Sequence, residues 1–176
     1  MSEPVKTAVR AEIEPTPLEM SGIVREHYEV VYRFCARRVG QDWAADVAQE
    51  TFLTAQKALK RFRFESSLRS WLIGIALNEC RSLIRKRKLF PPTIEFDLPD
   101  ASASGRENAW IDRTALTKAL NALSDEHRDV VVMHEIEGLS YDEIAAVIGI
   151  PSGTVKSRLH HAFINLRKSL RDEVRG

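Results

Sequence analysis

The chain has 176 residues, enough for one ordinary domain or two small ones, with 44% apolar residues for packed cores and 29% charged ones. Its 26 Lys and Arg nearly balance 25 Asp and Glu, and the net charge of +1 excludes a chain drawn onto nucleic acid by its overall field; any such binding must come from local clusters. Gly and Pro are few, which favours helix, no apolar run reaches a membrane span, and the N-terminus has no signal-peptide core.

Residues 1–19 mix Pro4, Pro15 and Pro17 with scattered charges and read as a flexible arm. A helix is expected from Met20 to Val39, with Ile23, Val24, Tyr28, Val31, Tyr32 and Cys35 on its inner face and Gly40 ending it. Asp42 opens a second helix to about Lys60, its inner stripe including Trp43, Val47 and Phe52. Asp46 and Glu50 are four apart and point together, with Gln49 beside them. After the turn Arg61 to Ser67, capped by Ser66 or Ser67, a third helix runs from Leu68 to about Lys88. Leu72, Ile75, Ala76, Leu83 and Ile84 are expected inside it. Cys35 and Cys80 sit in helical patterns without a C-x-x-C spacing, as buried reduced thiols of a cytosolic protein do.

The third helix ends on Arg81, Arg85, Lys86, Arg87 and Lys88 with no acid among them. Cations there suit the helix macrodipole. Five exceed what capping needs, and with Phe62, Phe64 and Trp71 nearby they also fit a cationic groove with stacking rings for a nucleic-acid strand. Both readings stand on the residues alone.

Composition shifts at Leu89. Pro91, Pro92, Pro99, Ser102, Ser104 and Gly105 lie in a stretch with little periodicity, read as a linker over residues 90–109. Helical pattern returns near Trp110, with a stripe of Leu116, Leu120 and Leu123. Ser124 caps a helix carrying Val130, Val131 and His134, stopped by Gly138.

The most informative stretch follows. Ser140 and Glu143 form a capping box, and Leu139 is placed to staple onto Ile144. Ile144, Val147 and Ile148 give the short helix one apolar face, Gly149 stops it, and Pro151 cannot continue it. Ser152 or Thr154 is expected to cap the next helix. There Val155, Leu159, Ala162, Leu166 and Leu170 recur at helical spacing, with Lys156, Ser157, His160, His161, Arg167 and Lys168 on the other side. A helix held by its apolar stripe while it offers cations outward suits the DNA major groove; a solvated amphipathic hairpin is the plainer alternative.

No enzyme site is evident: no phosphate-binding Gly loop, no nucleophile elbow, and His134-Glu135 lacks the second histidine of a zinc-protease helix. Neither a metal nor a cofactor is expected. The architecture read from the sequence is all-α, with two small helical domains at residues 20–89 and 110–174 joined by a flexible linker, the second containing a helix-turn-helix.

The chain resembles the extracytoplasmic-function sigma factors, the small two-domain class of the bacterial sigma-70 family. Asp46-Val47-Ala48-Gln49-Glu50-Thr51-Phe52 is similar to the family's acidic D-x-x-Q-E-x-F helix, Phe62 to Leu72 and on through Asn78 to its promoter-melting segment, and Leu139 to His161 to its second DNA-reading motif. The resemblance implies that residues 20–89 are sigma region 2 and 110–174 sigma region 4. It implies that Asp46, Gln49, Glu50, Phe52 and Leu53 bind the clamp helices of the polymerase β′ subunit, a second contact falling on the β flap. Phe62, Arg63, Trp71, Asn78, Arg81 and Arg85 would engage the −10 element. Thr154, Lys156, Ser157, Arg158, His160 and His161 would meet the −35 element. An anti-sigma factor is the implied inhibitor, and the setting is cytoplasmic. Phe64 stands where the family usually has Gly, Gly74 where it often has Arg, and His161-Ala162-Phe163 replaces a frequent Arg-Ala-Arg. A helix-turn-helix regulator with an N-terminal sensing or dimerisation domain is the alternative.

Overall fold

A computed structural model of the chain describes residues 19–63, 65–87 and 113–175. The expected arm, the linker over 90–109, Trp110 and Phe64 lie outside the described residues. Within them all regular structure is helical: α1 Met20–Val39, α2 Gln41–Ala58, a 3₁₀ turn Leu59–Arg61, α3 Leu68–Arg87, α4 Arg113–Asn121, α5 Asp125–Val131, a π turn Val132–Ile136, α6 Tyr141–Ile148 and α7 Ser152–Arg175.

In the first half α1, α2 and α3 pack pairwise. Ala44, Ala48 and Ala55 give α2 a stripe of small residues, so its backbone lies close to the Val31, Phe34 and Cys35 side of α1 and to Leu72, Ile73 and Leu77 of α3. Phe34 is 1% exposed, a burial that stabilises by about 1.5–3 kcal/mol. The buried Thr51 hydroxyl donates to the Val47 carbonyl at 2.8 Å and so leaves no orphaned donor. Cys35 and Cys80 are buried free thiols; the hydrogen bond to Cys80 and then burial push the Cys35 thiol well up, so it stays protonated.

In the second half α4, α5 and α6 pack on α7, whose Val155, Leu159, Ala162 and Leu166 are buried in sequence-expected register. Arg128 of α5 ties the α4–α5 corner together. Its guanidinium donates to the carbonyls of Leu120 at 3.1 Å, Asn121 at 2.7 Å and Leu123 at 2.9 Å, and reaches Asp125 at 3.2 Å. Carbonyls at a helix C-terminus have no partner within the helix, and the Leu120 carbonyl also accepts from the Leu123 N–H at 3.2 Å.

Several inner-face expectations need correction. Tyr28 is 40% exposed and not a core residue of α1; Phe34, Arg38 and Val39 are buried there instead. On α3 the buried residues are Ser70, Leu72, Ile73, Ala76, Leu77 and Cys80, while Ile75, Leu83 and Ile84 are half-buried. The reason is that α3 is covered on two sides, by α1 and α2 and also by α6, so it has no single apolar face. The helix capped by Ser124 ends as a π turn before Gly138, with the Glu137 N–H donating to the Val132 carbonyl at 3.0 Å. Thr154 lies inside the first turn of α7, its N–H donating to the Pro151 carbonyl at 2.9 Å, so it is not that helix's cap.

Candidate nucleic-acid interface

The helix-turn-helix is built by local chemistry. Ser140 and Glu143 form the expected capping box, with Ser140 Oγ accepting from the Glu143 N–H at 3.3 Å and Glu143 Oε2 accepting from the Ser140 N–H at 3.0 Å. The Ser140 backbone bond, then a hydrogen bond from Ser67, hold the Glu143 carboxyl below its ordinary value. Gly149 closes α6 at φ 71° and ψ 36°, a left-handed conformation that glycine takes without Cβ strain. Leu139 and Ile144 are both buried, as a staple requires. The outcome is a short α6 set against a long α7 whose polar side is turned out.

On that side Thr154, Lys156, Ser157, His160 and His161 are exposed. His160 and His161 meet edge-to-face with ring centroids 5.6 Å apart. Arg158 differs from them: its side chain is 26% exposed and pairs with Glu126 of α5 at 2.9 Å. Lys156 is therefore the exposed cation in the first turns of α7.

The aromatic-basic segment divides. Phe62 packs on Trp71 with centroids 4.8 Å apart, which fixes a ring pair at the start of α3. Asn78 and Arg85 are exposed, and Arg63 is exposed beside Glu65. Arg81, in contrast, is turned onto Asp129 of α5 at 3.1 Å. Trp71, Asn78 and Arg85 recur at seven-residue steps and so share one side of α3.

The acidic helix lines an open groove of about 390 Å³ between α1 and α2, where Asp46, Gln49, Phe52 and Leu53 face Met20, Val24 and Tyr28. Leu53 and Tyr28 are its exposed apolar residues, at 41% and 40%, and Tyr28 stacks on the ring of Phe52 with centroids 6.2 Å apart. Glu50 is exposed and lines the neighbouring groove with Trp43, Glu79 and Arg87. Arg87 lies over the Trp43 ring at 4.0 Å.

Between the halves four arginines meet two buried carboxylates. Asp129 receives Arg38 of α1 as well as Arg81. Glu137, just after the π turn, receives Arg37 at 2.6 Å and Arg69 at 3.0 Å, and Arg69 also donates to the Glu137 carbonyl. Both carboxylates are 4% exposed. Burial raises their pKa values above the ordinary range, and the arginines pull back only part of the way. Nearby, Ser67 Oγ donates to Glu143 at 2.7 Å. Among the described residues no helix is long and apolar enough to cross a membrane, and no cluster of three or more His, Cys, Asp or Glu is placed to hold a metal ion.

The same two halves are matched by two family models in chain order: sigma-70 region 2 over residues 23–90 and sigma-70 region 4 over residues 113–166. A curated relative, the ECF RNA polymerase sigma-E factor of Salmonella typhimurium, is 31% identical over 153 residues, covering 80% of this chain and 80% of that protein. The chain belongs to the extracytoplasmic-function sigma factors of the sigma-70 family. The ECF RNA polymerase sigma factor SigE of Mycolicibacterium smegmatis is 34% identical over 157 residues, and the chain spans 59% of that longer protein. Among solved structures, the sigma factor RpoE of Bartonella quintana, in complex with the anti-sigma factor NepR, superposes with a TM-score of 0.66 at 26% identity, over 86% of this chain and 96% of that one. CnrH in complex with the cytosolic domain of CnrY gives 0.63 at 28% identity, over 87% and 88%.

In this sigma factor the region 2 match occupies the place where a helix-turn-helix regulator would carry its sensing domain. Arg37, Arg38, Arg69, Asp129 and Glu137 escaped the sequence reading. Arg37 and Arg38 pass for dipole partners at the end of α1. Asp129 gave one usable signal: an acid entering the apolar run Val130-Val131-Val132-Met133 is bound for burial if the helix is, and a buried acid needs a cation.

Proposed function

We propose that the chain is the promoter-specificity subunit of a bacterial RNA polymerase, acting in the cytoplasm without a catalytic group of its own. The observation that carries the reading is the order of three distinct surfaces on one chain. An acidic-apolar groove and an aromatic-cationic helix in region 2 precede a helix-turn-helix with an outward polar face in region 4. Asp46, Gln49, Glu50 and Leu53 would dock the β′ clamp helices, Asp46 and Glu50 steering a basic partner while Leu53 seats in it. Phe52 is 7% exposed, so it acts by supporting Tyr28, on which it stacks. A contact of region 4 with the β flap would place the second domain.

Opening the −10 element needs an extruded base held by stacking and edge hydrogen bonds. The Phe62–Trp71 pair, Asn78, and the cations Arg63, Arg81 and Arg85 fit that work. Lys156, Ser157, Thr154, His160 and His161 would read the −35 element or grip its phosphates, with Arg158 entering once it leaves Glu126. Two similar solved structures hold an anti-sigma factor or the cytosolic domain of a partner, which supports control of this chain by such an inhibitor. The test is gel filtration of the chain with purified core enzyme, followed by open-complex formation on promoter fragments. Co-elution and a melted −10 region are expected; a chain that elutes apart from core contradicts the reading.

A further inference from the structure

The basic end of α3 does not act as one cluster. Trp71, Asn78 and Arg85 share the side of α3 assigned above to the −10 element. Arg87 follows Arg85 by two positions, about 200° around a helix, and so leaves that side. It falls in line with Glu79 and Leu83 at steps of four. These three belong to the α3 wall of an open groove of about 200 Å³, and Trp43, Asp46 and Glu50 lie on its α2 wall. Arg87 is exposed, yet it is held: its guanidinium lies 4.0 Å from the centroid of the Trp43 ring. Among the described residues it makes no ion pair or hydrogen bond. Glu79 is turned to α2 instead, where the Thr54 hydroxyl donates to it at 2.9 Å. Stacking uses the flat face of a guanidinium and leaves its N–H edge open. Trp43 therefore presents Arg87 as an ordered donor without an acceptor among the described residues.

We propose that Arg87 is a polymerase contact and not a DNA contact, with Trp43 as the residue that positions it: the guanidinium takes a carboxylate of the clamp helix that docks along α2. This rests on the assignment of Asp46 and Glu50 to core binding. Three observations select a partner acid over a DNA phosphate. Arg87 points away from Trp71, Asn78 and Arg85, so a strand held by those residues lies on the far side of α3. Asp46 and Glu50 share its groove, and their charges disfavour a phosphate backbone there. Asp46 lines both this groove and the one between α1 and α2, so a helix seated on Asp46 reaches both. A solvent-facing helix with cations for Asp46 and Glu50 carries acids beside them, in the alternating charge pattern such helices use. The docking face is then acidic along α2 and cationic at its α3 edge, where Lys86 joins Arg87. That arrangement fixes the register of the partner as well as its charge.

The test titrates full-length variants, checked for helix content by circular dichroism, into purified core enzyme in competition with labelled wild-type chain. Arg87→Ala should bind core about tenfold more weakly, the effect of losing one charge-assisted pair at an interface. At concentrations that saturate core it should melt a promoter fragment as the wild type does. Trp43→Leu keeps apolar bulk but has no π face, so it should weaken core binding too, and Trp43→Phe should recover most of the loss. Added to Arg87→Ala, Trp43→Leu should lose little more, because the two residues act as one unit. Losses that add in full make Trp43 a packing residue only and overturn its role. Full core affinity of Arg87→Ala overturns the proposal, as does a melting defect that persists at saturation. Asp46→Lys separates the two readings. If it loses core affinity while Arg87→Ala does not, the docking assignment of α2 stands and the proposal falls. If it keeps core affinity, the docking assignment fails and the proposal fails with it.

Discussion

Replacing Arg128 by Met keeps the length and apolar body of the side chain but removes every donor. The carbonyls of Asn121 and Leu123 then lose their guanidinium donor, while that of Leu120 keeps the Leu123 N–H at 3.2 Å; Leu123 is 6% exposed. A hydrogen bond from a charged group contributes about 1.5–3 kcal/mol, and a buried acceptor left alone keeps its desolvation penalty. The Asp125 carboxylate is 69% exposed, so that contact adds little. Counting the buried Leu123 carbonyl alone gives a loss of about 1.5–3 kcal/mol. For a chain of this size that lowers Tm by roughly 5 °C. Urea unfolding followed by far-UV circular dichroism reads the change directly. Arg128→Lys should recover only a minor part, because an ammonium is a point donor and cannot span three carbonyls. A loss below about 1 kcal/mol for Arg128→Met would refute the reasoning, since it would mean that the freed carbonyls find other partners. Because α4 and α5 both pack on α7, the same variant should also weaken binding of a −35 fragment at temperatures where the wild type is folded.

Two sets of carboxyls predict pH effects of opposite sign. Glu143 titrates below its ordinary value of 4.5 in the folded chain, so its stabilisation is present above that value and is lost as pH falls through the lowered one; Glu143→Gln should remove this acid limb in Tm-against-pH scans, whereas Ser140→Ala, which keeps the Ser140 N–H on Glu143, should lower stability by about 1 kcal/mol and leave most of the limb. Asp129 and Glu137 titrate above their ordinary values of 3.8 and 4.5, so their contribution is full below those values and is lost as pH rises through the raised ones. Arg38, Arg81 and Asp125 face the first, and Arg37, Arg69 and Arg33 the second. Asp129→Asn/Glu137→Gln should remove that fall, and an unchanged Tm-against-pH slope contradicts the assignment. Gly74→Ala should stabilise by about 0.5–1 kcal/mol, because the added Cβ meets Val147 at an ordinary 3.6 Å; a lower Tm contradicts that contact. Lys156→Ala should weaken −35 binding by about 1–3 kcal/mol if the ammonium reads a base edge, whereas an equal loss on unrelated DNA makes Lys156 a phosphate anchor.

Where local chemistry decides the outcome, the sequence was legible. Met20 to Val39, the Ser140–Glu143 box and the Val155–Leu166 stripe all stand as the periodicity predicts, because each depends on neighbours within a few turns. Legibility failed where burial has two sources. Helix α3 is packed against α1 and α2 and against α6, so Ile73 and Leu77 are buried where Ile75 and Ile84 were expected. Tyr28 failed for a different reason: an amphipathic ring serves a core or a docking groove equally well. The ion pairs between the halves were invisible because Arg37, Arg38 and Glu137 read as ordinary solvated charges, and only the folded chain brings them together with their partners. Part of the candidate site shares this fate. Arg81 and Arg158 belong to cationic patterns, yet each is held by an acid that sequence spacing does not reveal.

The central claim is that this one chain brings both promoter contacts to the polymerase. Mapping transcript starts with core enzyme reconstituted with this chain tests it most directly. New starts are expected, each preceded by two shared upstream elements. Trp71→Ala should leave binding to a −35 fragment intact while abolishing melting at the start. Start sites identical to those of core enzyme without the chain would contradict the claim.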